Sequence, residues 1–301
     1  MRVTTQIAVD TLVANLDRSF ERIARHQEQL SSGTRLNDLS DDPAAIERSL
    51  ALRAELRNIE QFRKNIDDGV GWLELSEAGL NELESLFVEA RGLAVQGASE
   101  TYNAQQRRAI ADQVDQFLEH TINLSEARYR GHYIFGGTQT AQPPYQARRD
   151  ENGRAVELTP RGDTGGSVER EISDGIITQV NIPGKELFEG EDSAFAVLIR
   201  LRDALRADDV EGVQNSLTGL AQVREKVSAA RGLVGARVNR MEITRNALDR
   251  VSAEMTAILS ADEDVDLADT IVSLRQEQDV FQAALASGGA LVPQSLMDFI
   301  G

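Results

Sequence analysis

The sequence predicts a mainly α protein with a small β insert, an elongated rod of long antiparallel helices whose terminal helices pair as a coiled coil. Three observations carry this. Apolar residues recur every seven positions over long stretches on both flanks of the chain. Proline is absent between Pro43 and Pro143 and again between Pro183 and Pro293, whereas ten of the 23 glycines and four of the six prolines fall within 131–190. Aromatic residues are only 5% of the 301, which suits aliphatic helix seams rather than compact aromatic-filled cores.

The first helix is expected from about Thr5 to Ser32. Val9, Val13, Leu16, Phe20, Ile23, Gln27 and Leu30 follow alternating spacings of four and three, the narrow seam of a coiled coil. Gly33 suits the stop. Asp42 then reads as an N-cap with Pro43 at the first helical position. The second helix is expected to reach Gln96, with Ile59, Ile66, Leu73, Leu80 and Phe87 at a seven-residue period. Gly69 and Gly71 weaken its middle, since each costs about 1 kcal/mol in a helix interior. Asn103 and Gln106 form a capping-box pattern for a third helix ending near Tyr129.

The insert should contain a hairpin, in which Val168, Arg170 and Ile172 alternate, as do Ile176, Thr178, Val180 and Ile182. Asp174-Gly175 between them is a type I′ signal. Shorter strands are expected near Tyr133–Phe135 and Ala155–Leu158. Helix returns from Ala194 to about Ala207 and again from Val210. There Val213, Leu220, Val227, Val234, Met241, Leu248 and Met255 give seven consecutive heptad positions. After an acidic break a last helix carries Leu267, Ile271, Leu274, Gln278, Phe281 and Leu285 at the same spacing, with Ser287-Gly288-Gly289 as its end. The expected division is therefore 1–40 with 262–301 as a terminal coiled-coil domain, 41–132 with 191–261 as a helical rod, and 133–190 as a β-rich insert. Neither terminal helix can bury its seam alone. Val9, Val13, Leu16, Phe20, Ile23 and Leu30 with Leu267, Ile271, Leu274, Phe281 and Leu285 are the expected assembly interface.

The chemistry points away from catalysis. The 32 Lys+Arg against 49 Asp+Glu leave a charge of −17, which disfavours a nucleic-acid partner. There is no cysteine, so no thiolate nucleophile and no disulfide. No apolar run is long enough to span a bilayer, and the N-terminus has no apolar secretory core. His26, His120 and His132 lack the spacing of a helical metal pair. Asp262, Asp264 and Asp266 mimic the first EF-hand positions, but Leu267 and Ser273 stand where Gly and Glu are needed. Asp266 reads instead as a helix cap. Arg161-Gly162-Asp163 is best explained by chance in an Arg- and Gly-rich stretch. No enzyme, cofactor or metal is expected.

Several long motifs resemble the bacterial flagellin superfamily. Gln29-Leu30-Ser31-Ser32-Gly33-Thr34-Arg35-Leu36-Asn37, followed by Ser40-Asp41-Asp42-Pro43-Ala44, is similar to the family's signature between its first two helices. Leu93-Ala94-Val95-Gln96-Gly97-Ala98 resembles the end of its long N-terminal helix, and Leu233-Val234-Gly235-Ala236-Arg237-Val238-Asn239-Arg240 its C-terminal counterpart. Within the superfamily, Gly131-His132-Tyr133-Ile134-Phe135-Gly136-Gly137-Thr138, Asn181-Ile182-Pro183-Gly184 and Ser295-Leu296-Met297-Asp298-Phe299-Ile300 resemble the hook-associated protein 3 family. Leu291-Val292-Pro293-Gln294 is closer to flagellins. The resemblance implies a flagellin-like structural subunit joining hook and filament, with a compact flagellin as the alternative and an intracellular coiled-coil scaffold behind it. It further implies export through the flagellar type III channel to the extracellular flagellum. The implied partners are further copies in a ring, the neighbouring hook-associated junction protein, flagellin and an export chaperone.

Overall fold

The structure, a computed structural model, describes residues 2–38 and 41–291. Among these, seven helices and three two-stranded antiparallel sheets follow in the order α1 (Arg2–Ser32), α2 (Pro43–Gly97), α3 (Ala104–Ser125), β1 (Arg128–Tyr129), β2 (His132–Tyr133), β3 (Tyr145–Arg149), β4 (Ala155–Pro160), β5 (Glu169–Ser173), β6 (Ile176–Gln179), α4 (Lys185–Phe188), α5 (Ala194–Arg206), α6 (Val210–Glu263) and α7 (Leu267–Leu291). The chain forms two compact units. An end unit comprises residues 1–58 and 250–301, and a middle unit comprises 59–249. The long helices α2 and α6 each contribute to both.

The middle unit is built on the two heptad series. Ile59, Ile66, Leu73, Leu80 and Phe87 of α2 are buried, as are Val213, Leu220, Val227, Val234, Met241 and Leu248 of α6. Arg231 pairs with Glu77 and Glu84, and Arg245 with Asp67, so charges flank the apolar seam. Gly69 and Gly71 do not break α2. A Cβ at Gly69 would lie 2.8 Å from Val180 Cγ1 and 3.0 Å from Met241 Cε, and one at Gly71 would lie 2.4 Å from the Tyr129 hydroxyl oxygen. These glycines trade helix propensity for close packing.

The predicted capping box is present, Asn103 Oδ1 accepting from Gln106 N and Gln106 Oε1 from Asn103 N, both at 2.9 Å. Asp42 Oδ1 accepts from Ala45 N, the N-cap bond expected before Pro43. In the β5–β6 hairpin Ser173 faces Ile176 across Asp174-Gly175. Of these two turn residues only Gly175 has a left-handed φ, +66°, so the turn is not type I′, which needs both. The register shifts between Glu171 and Ser173, absorbing the mismatch. The strand β3 has no counterpart in the sequence reading. Only Tyr145 of its residues is buried, so it lacks an alternating apolar pattern.

The insert is joined to the helices by an aromatic core. Phe188 packs against Phe135, Tyr145 and Phe195 with ring centroids 5.4, 5.5 and 5.0 Å away. The Arg202 guanidinium, 2% exposed, donates to Ala155 O of β4 at 2.6 Å and to Asp115 Oδ1 of α3 at 2.9 Å.

Candidate assembly interface

The end unit begins with two crossed connections. At the α1–α2 loop Arg35 N donates to Glu263 O at 2.7 Å, and Arg35 Nη2 to Asp262 O at 2.8 Å. Val265 N donates back to Gly33 O at 3.2 Å, and Thr34 bridges Asp264 antiparallel. Gly33, at φ +74°, makes this reversal possible. Two α2 arginines grip the same place, Arg48 on Asp262 and Arg53 on Glu263, each through two nitrogens. The last carbonyls of α6, Asp262 O and Glu263 O, thus receive donors where the helix leaves them without partners. Asp266 Oδ1 accepts from Ala268 N and Asp269 N, and so caps α7 as expected.

Beyond this junction α1 packs on α7. Among the described side chains of α1, those buried or half-buried are Leu12, Leu16, Ser19, Ile23, His26, Gln29 and Leu30. Ser19 is 3% exposed and Ile23 8%. Leu16, Ile23 and Leu30 therefore lie on the α7 side, while Val13 and Phe20 are exposed by 50% and 61%. The Val9 side chain lies outside the described residues. Phe20 leans one edge on Phe281, with centroids 6.4 Å apart.

On α7, Leu274 and Phe281 are half-buried and Thr270 and Gly288 are buried. Leu267, Ile271 and Leu285 are exposed, and so are Val272 and Val280, which the sequence reading did not single out. Ser287-Gly288-Gly289 does not end α7, which continues to Leu291. A Cβ on Gly288 would lie 2.5 Å from Leu12 Cδ2, so this glycine serves helix approach rather than termination.

Glu277 sits at the centre of the pair. Its carboxylate accepts from Ser19 Oγ at 3.1 Å and from Arg22 Nε and Nη2 at 2.8 and 3.1 Å. Hydrogen bonding by Arg22 is the main cause holding Glu277 below the usual carboxylate range, with Ser19 and the charges of Arg22 and His26 adding to it. Arg48, and then Arg35, depress Asp262 likewise. The three histidines are far apart in role, His26 beside Gln29, His120 beside Glu82 and His132 beside Thr140. Among the described residues no group of three or more His, Cys, Asp or Glu is arranged to hold a metal. What the arrangement offers is an internal helix pair with apolar side chains left over on both members.

Residues 3–140 match the family model of the bacterial flagellin N-terminal helical region. The flagellin of Halalkalibacterium halodurans is 26% identical over 275 residues, covering 90% of this chain and 89% of that one. Among solved structures, a putative flagellar hook-associated protein from Vibrio parahaemolyticus superposes with a TM-score of 0.66 at 20% identity, over 74% of this chain and all of that one. The flagellar junction protein FlgL from Legionella pneumophila gives 0.58 at 13% identity, over 71% of this chain and 100% of that one. The fold is thus flagellin-like, and the superfamily resemblance read from the motifs holds.

Proposed function

We infer that this chain is a flagellar structural protein of the flagellin family, a reading supported by the family-model match over residues 3–140 and the similar flagellin, and that within it the chain is the junction subunit that links the hook region to the flagellin filament. One observation carries the finer reading. The hook-associated and junction proteins from Vibrio and Legionella are matched over their whole length. The motif Gly131 to Thr138, which resembles that family, builds the β1–β2 turn and places Phe135 in the aromatic core.

Assembly proceeds through the terminal helices. The stripe Val13–Phe20 of α1 and the residues Leu267, Ile271 and Leu285 of α7 are the surfaces that further copies and neighbouring junction and filament subunits cover. The division into a terminal coiled-coil part, a helical part and a β insert assigns assembly to the first of these. Export through the type III channel, with a chaperone on the C-terminal helix, completes the reading.

A second reading, a compact flagellin, is favoured by the flagellin of Halalkalibacterium halodurans, which matches nine-tenths of the chain. Deletion of the gene separates the two. Loss of a junction subunit leaves hooks intact and releases unpolymerised flagellin into the medium. Loss of a filament subunit leaves hooks with their junction rings and releases no unpolymerised flagellin into the medium.

A further inference from the structure

Two overlapping stripes on α1 compete for α7. The stripe through Val13, Leu16, Phe20, Ile23, Gln27 and Leu30 is the more apolar. The stripe through Leu12, Leu16, Ser19, Ile23, His26 and Leu30 puts Leu12, Ser19 and His26 in place of Val13, Phe20 and Gln27. On apolar burial, at about 25 cal/mol per Å², the first should face inward. The structure has the second inward, with Ser19 3% and Phe20 61% exposed. At 3.6 residues per turn the two alternatives differ by a rotation of about 50°.

The group that distinguishes them is on α7. In the observed rotation Glu277, with a side chain 23% exposed, is reached by both Ser19 and Arg22. Turning Phe20 inward would carry both donors away and leave a partly buried carboxylate without hydrogen bonds, a costly outcome. A polar group in a helix seam is an established way to choose one arrangement over another at the expense of stability.

We propose that Glu277 is a positioning residue that sets the rotation of α1, so that Ser19 and Arg22 are used internally and the Val13–Phe20 stripe is kept outward for a second copy of this chain. The use of the outward stripe rests on the assembly reading above; the selection of rotation does not.

The chain has no cysteine, so a single introduced thiol reports one position. Leu12→Cys and Val13→Cys are made in the full-length chain, in the parent background and with Glu277→Leu or Glu277→Gln, and reacted with a maleimide as monomers. The parent should react faster at position 13 than at position 12. In Glu277→Leu the order should invert. Glu277→Gln keeps an oxygen acceptor for Ser19 and Arg22 and should retain the parental order. An unchanged order in Glu277→Leu, or an equal rise at both positions, which marks helix detachment, overturns the proposal. Seeded polymerisation is scored separately. Inverted thiol order with polymerisation intact would leave the selector standing and sink the assembly role of the outward stripe.

Discussion

Arg202 shows how a single charge holds the middle unit together. Burial alone would lower its pKa, but the hydrogen bonds it donates to Asp203 and Asp115 more than reverse this, and the guanidinium stays charged at 2% exposure. Replacing it by Met would leave Asp115, 15% exposed, with only Arg206 at 3.9 Å, and would strand the Ala155 carbonyl. Breaking a buried pair from one side costs about 3–5 kcal/mol, and the distant Arg206 puts this site near the lower end. The expected result for Arg202→Met is a large fall in the urea midpoint of the middle unit, read from the fluorescence of Trp72. A midpoint within experimental error of the parent would contradict it. Glycines give the opposite sign. A Cβ added at Gly92 or Gly235 meets nothing within 4 Å. Gly92→Ala and Gly235→Ala should each stabilise the monomer by about 0.5–1 kcal/mol through helix propensity and a less flexible unfolded chain. A loss of stability in either would show that the open space is occupied in solution.

At the level of elements, the seams that close within the chain were legible and the seam that stays open was not. In α2 and α6 the heptad positions from Ile59 to Phe87 and from Val213 to Leu248 are buried, so the period in the sequence and the buried residues coincide there, and only Met255, at the far end of the α6 series, is half-buried. In α1 the apolar residues serve two faces, and the choice between them depends on a carboxylate more than 250 residues away, which periodicity along α1 does not contain. The misread end of α7 has a similar cause, since Gly288 is needed for contact with Leu12 and looks like a stop only in isolation. The same polar contacts make the end unit sensitive to acid. Glu277 and Asp262 have native pKa values depressed by Arg22 and Arg48. The native state therefore binds fewer protons than the unfolded chain in the acidic range. Their contribution is fully present above the unfolded values, about 4.3 and 3.9, and is lost as pH falls through the native ones. A spin-label pair on Val13→Cys and Leu285→Cys should show a distance distribution that broadens between about pH 4 and pH 2. An unchanged distribution across that range would show that these carboxylates do not hold α1 on α7.

For the whole molecule, the unequal burial of the two units predicts unequal stability. The insert was legible as Gly- and Pro-rich, but its integration was not. Tyr145 and Phe188 complete one aromatic core with Phe195 of α5, through contacts between residues 50 apart or fewer that carry no periodic signal. Excising 140–190 should therefore destabilise α5 as well as remove the strands, rather than leave the helical part untouched. The end unit has much less to lose. Of the described side chains of α1, Ser19 and Ile23 are buried, whereas α2 buries Ile66, Leu73, Leu80, Leu83 and Phe87 within about six turns. Local opening free energy follows buried apolar contacts, and an amphipathic helix with one narrow seam has little stability of its own. Amide hydrogen exchange on the purified monomer should find the strongest protection at Leu73–Phe87 and Val227–Leu248 and much weaker protection through Leu12–Leu30 and Ile271–Leu285. Val13, Phe20, Ile271 and Leu285 are exposed in the single chain, so on the assembly reading proposed above, copies that cover them would supply the missing burial and order the ends on binding. Protection through Leu12–Leu30 equal to that of Leu73–Phe87, in a verified monomer, would mean that the α1–α7 pair is already stable alone and that assembly adds neighbours without adding order.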